Sequence, residues 1–136
     1  MVYNFKQRVK EGKTEVFDPI RKKWLLQTPE ERVRQLFILY LLNVKQIPES
    51  HISVEKAITV NGLTKRYDLV VFNLERKPEI VIECKAPEVA ITQTVVEQAG
   101  RYNKTLHARI LGVTNGTTHY FFTIDFDTEE ITPITF

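Results

Sequence analysis

The chain has 136 residues, 43% of them hydrophobic and 26% charged, values of an ordinary globular domain that buries about two thirds of its unfolded surface without staples. Its single cysteine excludes an internal disulfide. With no apolar run of membrane-spanning length and no charged-then-apolar leader, residues 1–136 read as one cytoplasmic domain with no membrane partner. A net charge of +2 and a pI near 8.7 fall short of a strongly basic nucleic-acid binder, so charge alone assigns no partner.

Taken in chain order, the stretch to about Leu26 reads as extended. VFDP and KKWLL are short strand-like pieces around a turn at Asp18-Pro19, placed to cover a sheet edge. Thr28-Pro29-Glu30-Glu31 is a helix start. Threonine caps, proline suits the first helical position, and Glu31 stands where a capping box returns a bond. The helix continues to about Val44, with Val33, Leu36, Phe37, Tyr40, Leu41 and Val44 on one face and Ile38, Leu39 and Leu42 making its second half apolar nearly all round. ISVEKAITV alternates and ends at Asn61-Gly62, a strong hairpin signal. Two strands follow, Lys65 to Phe72 and Glu79 to Ala86, joined by the charged turn LERKP. After a break at Pro87, a helix is expected from about Ile91 to Asn103. ARILGVT then reads as a buried strand, Asn115-Gly116 as a second tight turn, THYFFTID as its partner and the tail as an edge strand. The order predicts an α/β fold, with helices around one central mixed sheet.

The chemistry concentrates between Asp68 and Lys85. Alternation along a strand puts Glu83 and Lys85 on one face and Cys84 on the other. If the hairpin folds about Glu75 and Arg76, Asp68 stands across from Glu83, Cβ atoms roughly 5 Å apart. That spacing suits two hard oxygen ligands on one Mg²⁺ or Mn²⁺, with the Cys84 backbone carbonyl as a further ligand. Lys85 is then close enough to orient or deprotonate an attacking water or to stabilise developing charge, and the sequence does not separate these roles. The plain alternative is a solvent-facing hairpin on which Asp68 answers Lys85. Against it, VIVIE and DLVVF read as covered on both faces, where uncompensated charge is costly. Cys84 has the parity of core residues. His51, His107 and His119 lack ligand-like spacing, which disfavours zinc. No glycine-rich phosphate loop is present. Gln98 and Tyr102, four apart, share a helix face. Arg21, Lys22, Lys23, Lys65, Arg66, Arg101, Lys104 and Arg109 are available to contact phosphates.

These segments together resemble the PD-(D/E)xK nuclease superfamily, and within it the N-terminal nuclease domain of type I restriction enzyme restriction subunits. The resemblance covers about Asp18 to Gly116 and rests on TPEERVRQ, RYDLVV, VIECKAP, QAGRY and VTNG occurring in that order. It implies a restriction-endonuclease-like fold with an αβββαβ core and a Mg²⁺-dependent DNA endonuclease of restriction-modification type. Asp68 and Glu83 would bind metal, and Lys85 would complete the catalytic core. Gln98 with Tyr102 would match the QxxxY element of RecB-like members, and Glu31 their first-helix glutamate, a position that helix capping explains equally well. Tyr67 stands where the superfamily name has proline, a substitution common in this branch. Relatives in restriction complexes continue into a helicase-like motor, and nothing in this chain could translocate DNA. The expected partners are therefore DNA, a separate motor or specificity subunit, and a second copy in a homodimer. The other readings are a DNA-binding or assembly module that retains the fold without turnover, and a resolvase or repair nuclease of the same superfamily.

Overall fold

The computed structural model describes residues 5–136; the first four residues of the stretch expected to be extended lie outside the described residues. Three short strands, β1 (Gln7–Lys10), β2 (Lys13–Asp18) and β3 (Lys23–Leu26), form an antiparallel meander. It is a sheet of its own and adds no strand to the main sheet. Helix α1 (Pro29–Asn43) follows. Thr28 Oγ1 accepts from the Glu31 N–H at 3.1 Å, which supplies one of the orphan donors of the first turn. The return half of the capping box is not made, because the Glu31 carboxylate turns inward. The helix ends one residue earlier than expected and leaves Val44 exposed.

The main sheet contains β4 (Ile52–Val60), β5 (Leu63–Phe72), β6 (Pro78–Cys84), β7 (Ile110–Thr114), β8 (His119–Asp125) and β9 (Glu130–Ile134), adjacent in that order. All neighbours are antiparallel except β6 and β7. A parallel pair needs a crossover, and helix α2 (Gln93–Leu106) provides it. The β4–β5 hairpin turns at Asn61 and Gly62, both left-handed with φ 51° and 79°, as that dipeptide predicts. The Asn115-Gly116 turn differs from expectation. It is a four-residue loop in which Asn115 Oδ1 accepts from the Thr117 and Thr118 amides. Helix α2 starts later than predicted, capped by Thr92. It also runs past Asn103, whose side chain does not stop the helix but exchanges two 3.0 Å bonds with the backbone of Ala108.

Two apolar layers hold the helices to opposite faces. Val33, Phe37, Ile38 and Leu41 of α1 pack on Leu69, Val71, Ile80, Ile82, Cys84 and Phe121. On the other face Tyr67, Val70, Val81, Leu111 and Val113 meet Ala99, Val95, Val96 and Tyr102 of α2. Each fully buried aliphatic side chain contributes about 1.5–3 kcal/mol. β5 and β6 lie between both layers, which explains why their sequences are apolar on both parities.

Candidate active site

The predicted β5–β6 register holds where the strands pair. Leu69 faces Ile82, Val70 faces Val81 and Val71 faces Ile80, and the register slips by one only at Phe72 and Pro78. Pairing stops one step before Asp68 and Glu83. There the Asp68 side chain replaces the ladder, its Oδ2 accepting from the Cys84 N–H at 2.8 Å. Strict alternation would put Asp68 on the α2 face with Val70. Instead Tyr67 packs in the α2 layer, and Asp68 Oδ1 accepts from Arg34 Nη2 of α1 at 2.7 Å. The inversion lies opposite Glu55, the residue of β4 left unpaired between the Val54–Leu69 and Lys56–Tyr67 pairs, with φ 55°. The pairs on either side keep one register, so no residue is inserted, and the left-handed backbone of Glu55 marks where the alternation breaks.

Arg34 is the buried centre of the α1 side, and sequence reading missed it. Nη1 reaches Glu31 at 2.7 Å and Glu55 at 3.3 Å, and Nη2 reaches Asp68 at 2.7 Å and Glu30 at 3.6 Å. Burial opposes its charge, but Asp68 and Glu31 outweigh burial and raise its pKa. The network continues outward. Glu31 also accepts from Arg21 at 3.2 Å and from Gln35 at 3.1 Å. Gln35 and Arg21 both donate to Asp18, which further accepts from the Ile20 and Arg21 amides. Burial would raise the Asp18 pKa, yet these donors hold it below the usual carboxylate value. Glu31, Arg34 and Gln35 sit three and four apart, so one helix face presents all of them. That spacing, beginning at the capping glutamate, was the signal in the sequence.

The Glu83 side is emptier. Glu83 is 5% exposed; its Oε1 has no hydrogen-bond partner among the described residues, and its Oε2 lies 3.9 Å from Lys65 Nζ. Burial and the adjacent Asp68 carboxylate push its carboxyl up to about 7. Lys65 Nζ also sits 5.2 Å from the Tyr102 ring centroid, so Tyr102 joins the site through Lys65. The Tyr67 hydroxyl is buried without a hydrogen-bond partner among the described residues, and burial and Glu83 raise its pKa. Lys85 lies just past the end of β6 rather than within it. It is half-buried, its amide donates to the Thr114 carbonyl at 2.7 Å, and its charge acts on Glu83. Gln98, one turn before Tyr102, is exposed and makes no hydrogen bond among the described residues. Cys84 buries its thiol in the α1 layer, where burial raises its pKa.

Two buried carboxylates side by side, one with an oxygen that no donor satisfies, form a donor set that fits a hard divalent cation taking its remaining ligands from water and substrate. Among the described residues no cage of three or more His, Cys, Asp or Glu side chains is assembled. Glu31 is tied into the Arg34 network.

Residues 29–135 match the family described as type I restriction enzyme R protein N terminus. The chain belongs to that family. Asp68, Glu83, Lys85, Gln98, Tyr102 and Glu31 all fall inside the matched span, whereas the β1–β3 meander precedes it. No curated protein matches the chain. Among solved structures, a candidate nuclease of the DUF820 group from Anabaena variabilis ATCC 29413 aligns with TM-score 0.54 and 14% identity over 93% of this chain and 75% of its own. The type IIG restriction endonuclease BpuSI aligns with TM-score 0.51 and 21% identity over 78% of this chain and 13% of its own. Both share the restriction-endonuclease-like fold of this family member. A fragment of a candidate HsdR subunit from Vibrio vulnificus YJ016 is 24% identical over 62% of this chain and 16% of its own, with TM-score 0.38.

Proposed function

We propose that this chain is a Mg²⁺-dependent DNA endonuclease domain of the R-subunit N-terminal type, hydrolysing phosphodiester bonds in the cytoplasm. The observation that carries the reading is the juxtaposition of buried Asp68 and Glu83, with the charge of Lys85 acting on Glu83, in a member of this family. Asp68 and Glu83 would hold Mg²⁺ or Mn²⁺, with the Cys84 carbonyl as a further donor, while Glu31 stays bonded to Arg21, Arg34 and Gln35. The bound ion would neutralise phosphate charge and make an attacking water more acidic.

The protein residues have separable tasks. Arg34 and the Cys84 amide fix the Asp68 carboxylate from both sides. Burial keeps bulk water from Glu83, and Lys65 stands between it and Tyr102. Lys85 contributes an ammonium that stabilises charge developing on the phosphoryl oxygens or orients the water. Gln98 and Tyr102 line the α2 side of the substrate path. DNA is the expected partner. Since the chain spans 13% of the type IIG restriction endonuclease whose fold it shares, motor and specificity functions would come from other segments or subunits. Cutting both strands would call for a second copy or a partner site.

Incubation with plasmid, linear duplex, branched and single-stranded DNA in Mg²⁺ or Mn²⁺, beside Lys85→Ala and Asp68→Ala, tests the reading. Cleavage lost in both variants supports it, cleavage retained in both rejects it, and preference for branched DNA moves it to the resolvase class. One observation favours a second reading, a DNA-binding or assembly module without turnover: Arg34 already occupies Asp68 Oδ1. Calorimetry without detectable Mn²⁺ binding would select that module.

A further inference from the structure

The β1–β3 meander lies outside the family match and outside the carboxylate site, yet it is net positive while the rest of the chain is net negative. Between Phe5 and Leu26 stand seven Lys or Arg and three Asp or Glu, against twelve and fourteen in the rest. The strand register sorts these residues by face. Arg8 pairs with Glu15, Lys10 with Lys13, and Phe17 with Trp24. Alternation therefore places Lys6, Arg8, Lys10 and Lys13 on one surface with both aromatic rings and a single acid, Glu15. The opposite surface carries Val16, which is buried, and Leu25, half-buried.

All four cations are exposed. Lys6 Nζ sits 4.7 Å from the Phe17 ring centroid, and the Arg8 guanidinium 4.3 Å from that of Trp24. The rings thus hold the cations in place. Lys10 and Lys13 stand directly across the β1–β2 hairpin, an unfavourable juxtaposition in the free protein that a polyanion relieves. Lys6, Arg8 and Lys10 recur every second residue, at about 6.8 Å. That is about the axial advance of two phosphates along one strand of B-DNA. Because the aromatic faces are already covered by cations, they offer no platform for unstacked bases, and the surface matches backbone phosphates. The meander is also anchored to the site: Arg21 and Asp18, at its β2–β3 turn, bond Glu31 and Gln35 of α1.

We infer that the outer face of the meander, built on Lys6, Arg8, Lys10 and Lys13, is a sequence-independent docking surface for the phosphate backbone of duplex DNA. It feeds the neighbouring Asp68–Glu83 site and takes DNA as substrate from the nuclease reading above. The test is fluorescence anisotropy of the whole chain with a labelled duplex in EDTA, from 50 to 200 mM salt. A Lys6→Glu/Lys10→Glu/Lys13→Glu variant should bind at least about tenfold more weakly at low salt, and the slope of log K against log salt should shrink by about one per lost contact. Lys45→Glu/Arg76→Glu/Lys77→Glu changes net charge equally, at exposed positions away from the meander, and should keep the slope. A Lys6→Gln/Lys10→Gln/Lys13→Gln variant, confirmed folded by circular dichroism, should reproduce the loss. Equal losses in the meander and control variants would overturn the proposal, as would tighter binding of single strands than of duplex. If no DNA is cut under any condition but the meander variants alone lose the salt slope, the nuclease reading fails and the docking surface stands.

Discussion

Asp68 and Glu83 are neighbours on adjacent strands, both nearly inaccessible, and their surroundings are opposite. Asp68 has a strong donor on each oxygen, a guanidinium on one side and a peptide amide on the other. Glu83 has one orphaned oxygen and a lysine at 3.9 Å on the other. One carboxylate is fully compensated by the protein; the other retains its electrostatic cost. An arrangement built this way holds one carboxylate fixed in advance and leaves the second without its compensation.

Removing the compensation should have the largest effect. Arg34→Met leaves Asp68 buried without its counter-charge and Glu31 with Arg21 alone, and urea denaturation should show a loss of about 3–5 kcal/mol. A loss below about 1 kcal/mol would mean that Arg34 is not the partner that balances the buried Asp68 carboxylate. The uncompensated half has a pH signature. Because the folded pKa of Glu83 is raised from 4.5 to about 7, the folded state keeps a proton that the unfolded chain has released. The stability this supplies is complete below about 4.5 and lost as pH rises through about 7, on the order of 3 kcal/mol in total. Urea titrations of metal-free protein and Glu83→Gln should therefore diverge across that window, and parallel curves would move the proton elsewhere. Thr28→Ala removes a helix cap, costs about 1 kcal/mol and should leave Mn²⁺ binding as it was, since the capping threonine touches neither carboxylate. Lys65→Met should be smallest in stability, below about 1 kcal/mol. It should still move the Glu83 titration upward, because Lys65 favours the ionised carboxylate.

Local features were legible in the sequence. Thr28 and Pro29 opened α1, Asn61-Gly62 set the first hairpin, and counting outward from Glu75 and Arg76 gave the β5–β6 register, since each depends on a few adjacent residues. Reading β5 and β6 as covered on both faces also followed directly from their composition. What escaped depends on distant partners. Arg34 and Gln35 drew no reading of their own because their partners, Asp68 and Asp18, lie 34 and 17 residues away. Glu31 fitted a capping box, but three donors at its carboxylate outcompeted the one exposed amide. The re-aiming of Asp68 goes with a left-handed residue, Glu55, on the neighbouring strand β4, which no alternation pattern of β5 could announce. Roles at the site, including metal binding by Asp68 and Glu83, rest on chemistry that the proposed experiments address.

The amide that grips Asp68 belongs to the main chain of residue 84, so it is encoded by no particular side chain. Nineteen of the twenty amino acids would supply it, and proline alone would not. Substitution scans at that position would therefore report on the fit of the thiol in the α1 layer and remain blind to the anchor, except at proline. A Cys84→Pro variant set against Cys84→Ala would expose the anchor's contribution to holding the acid in position.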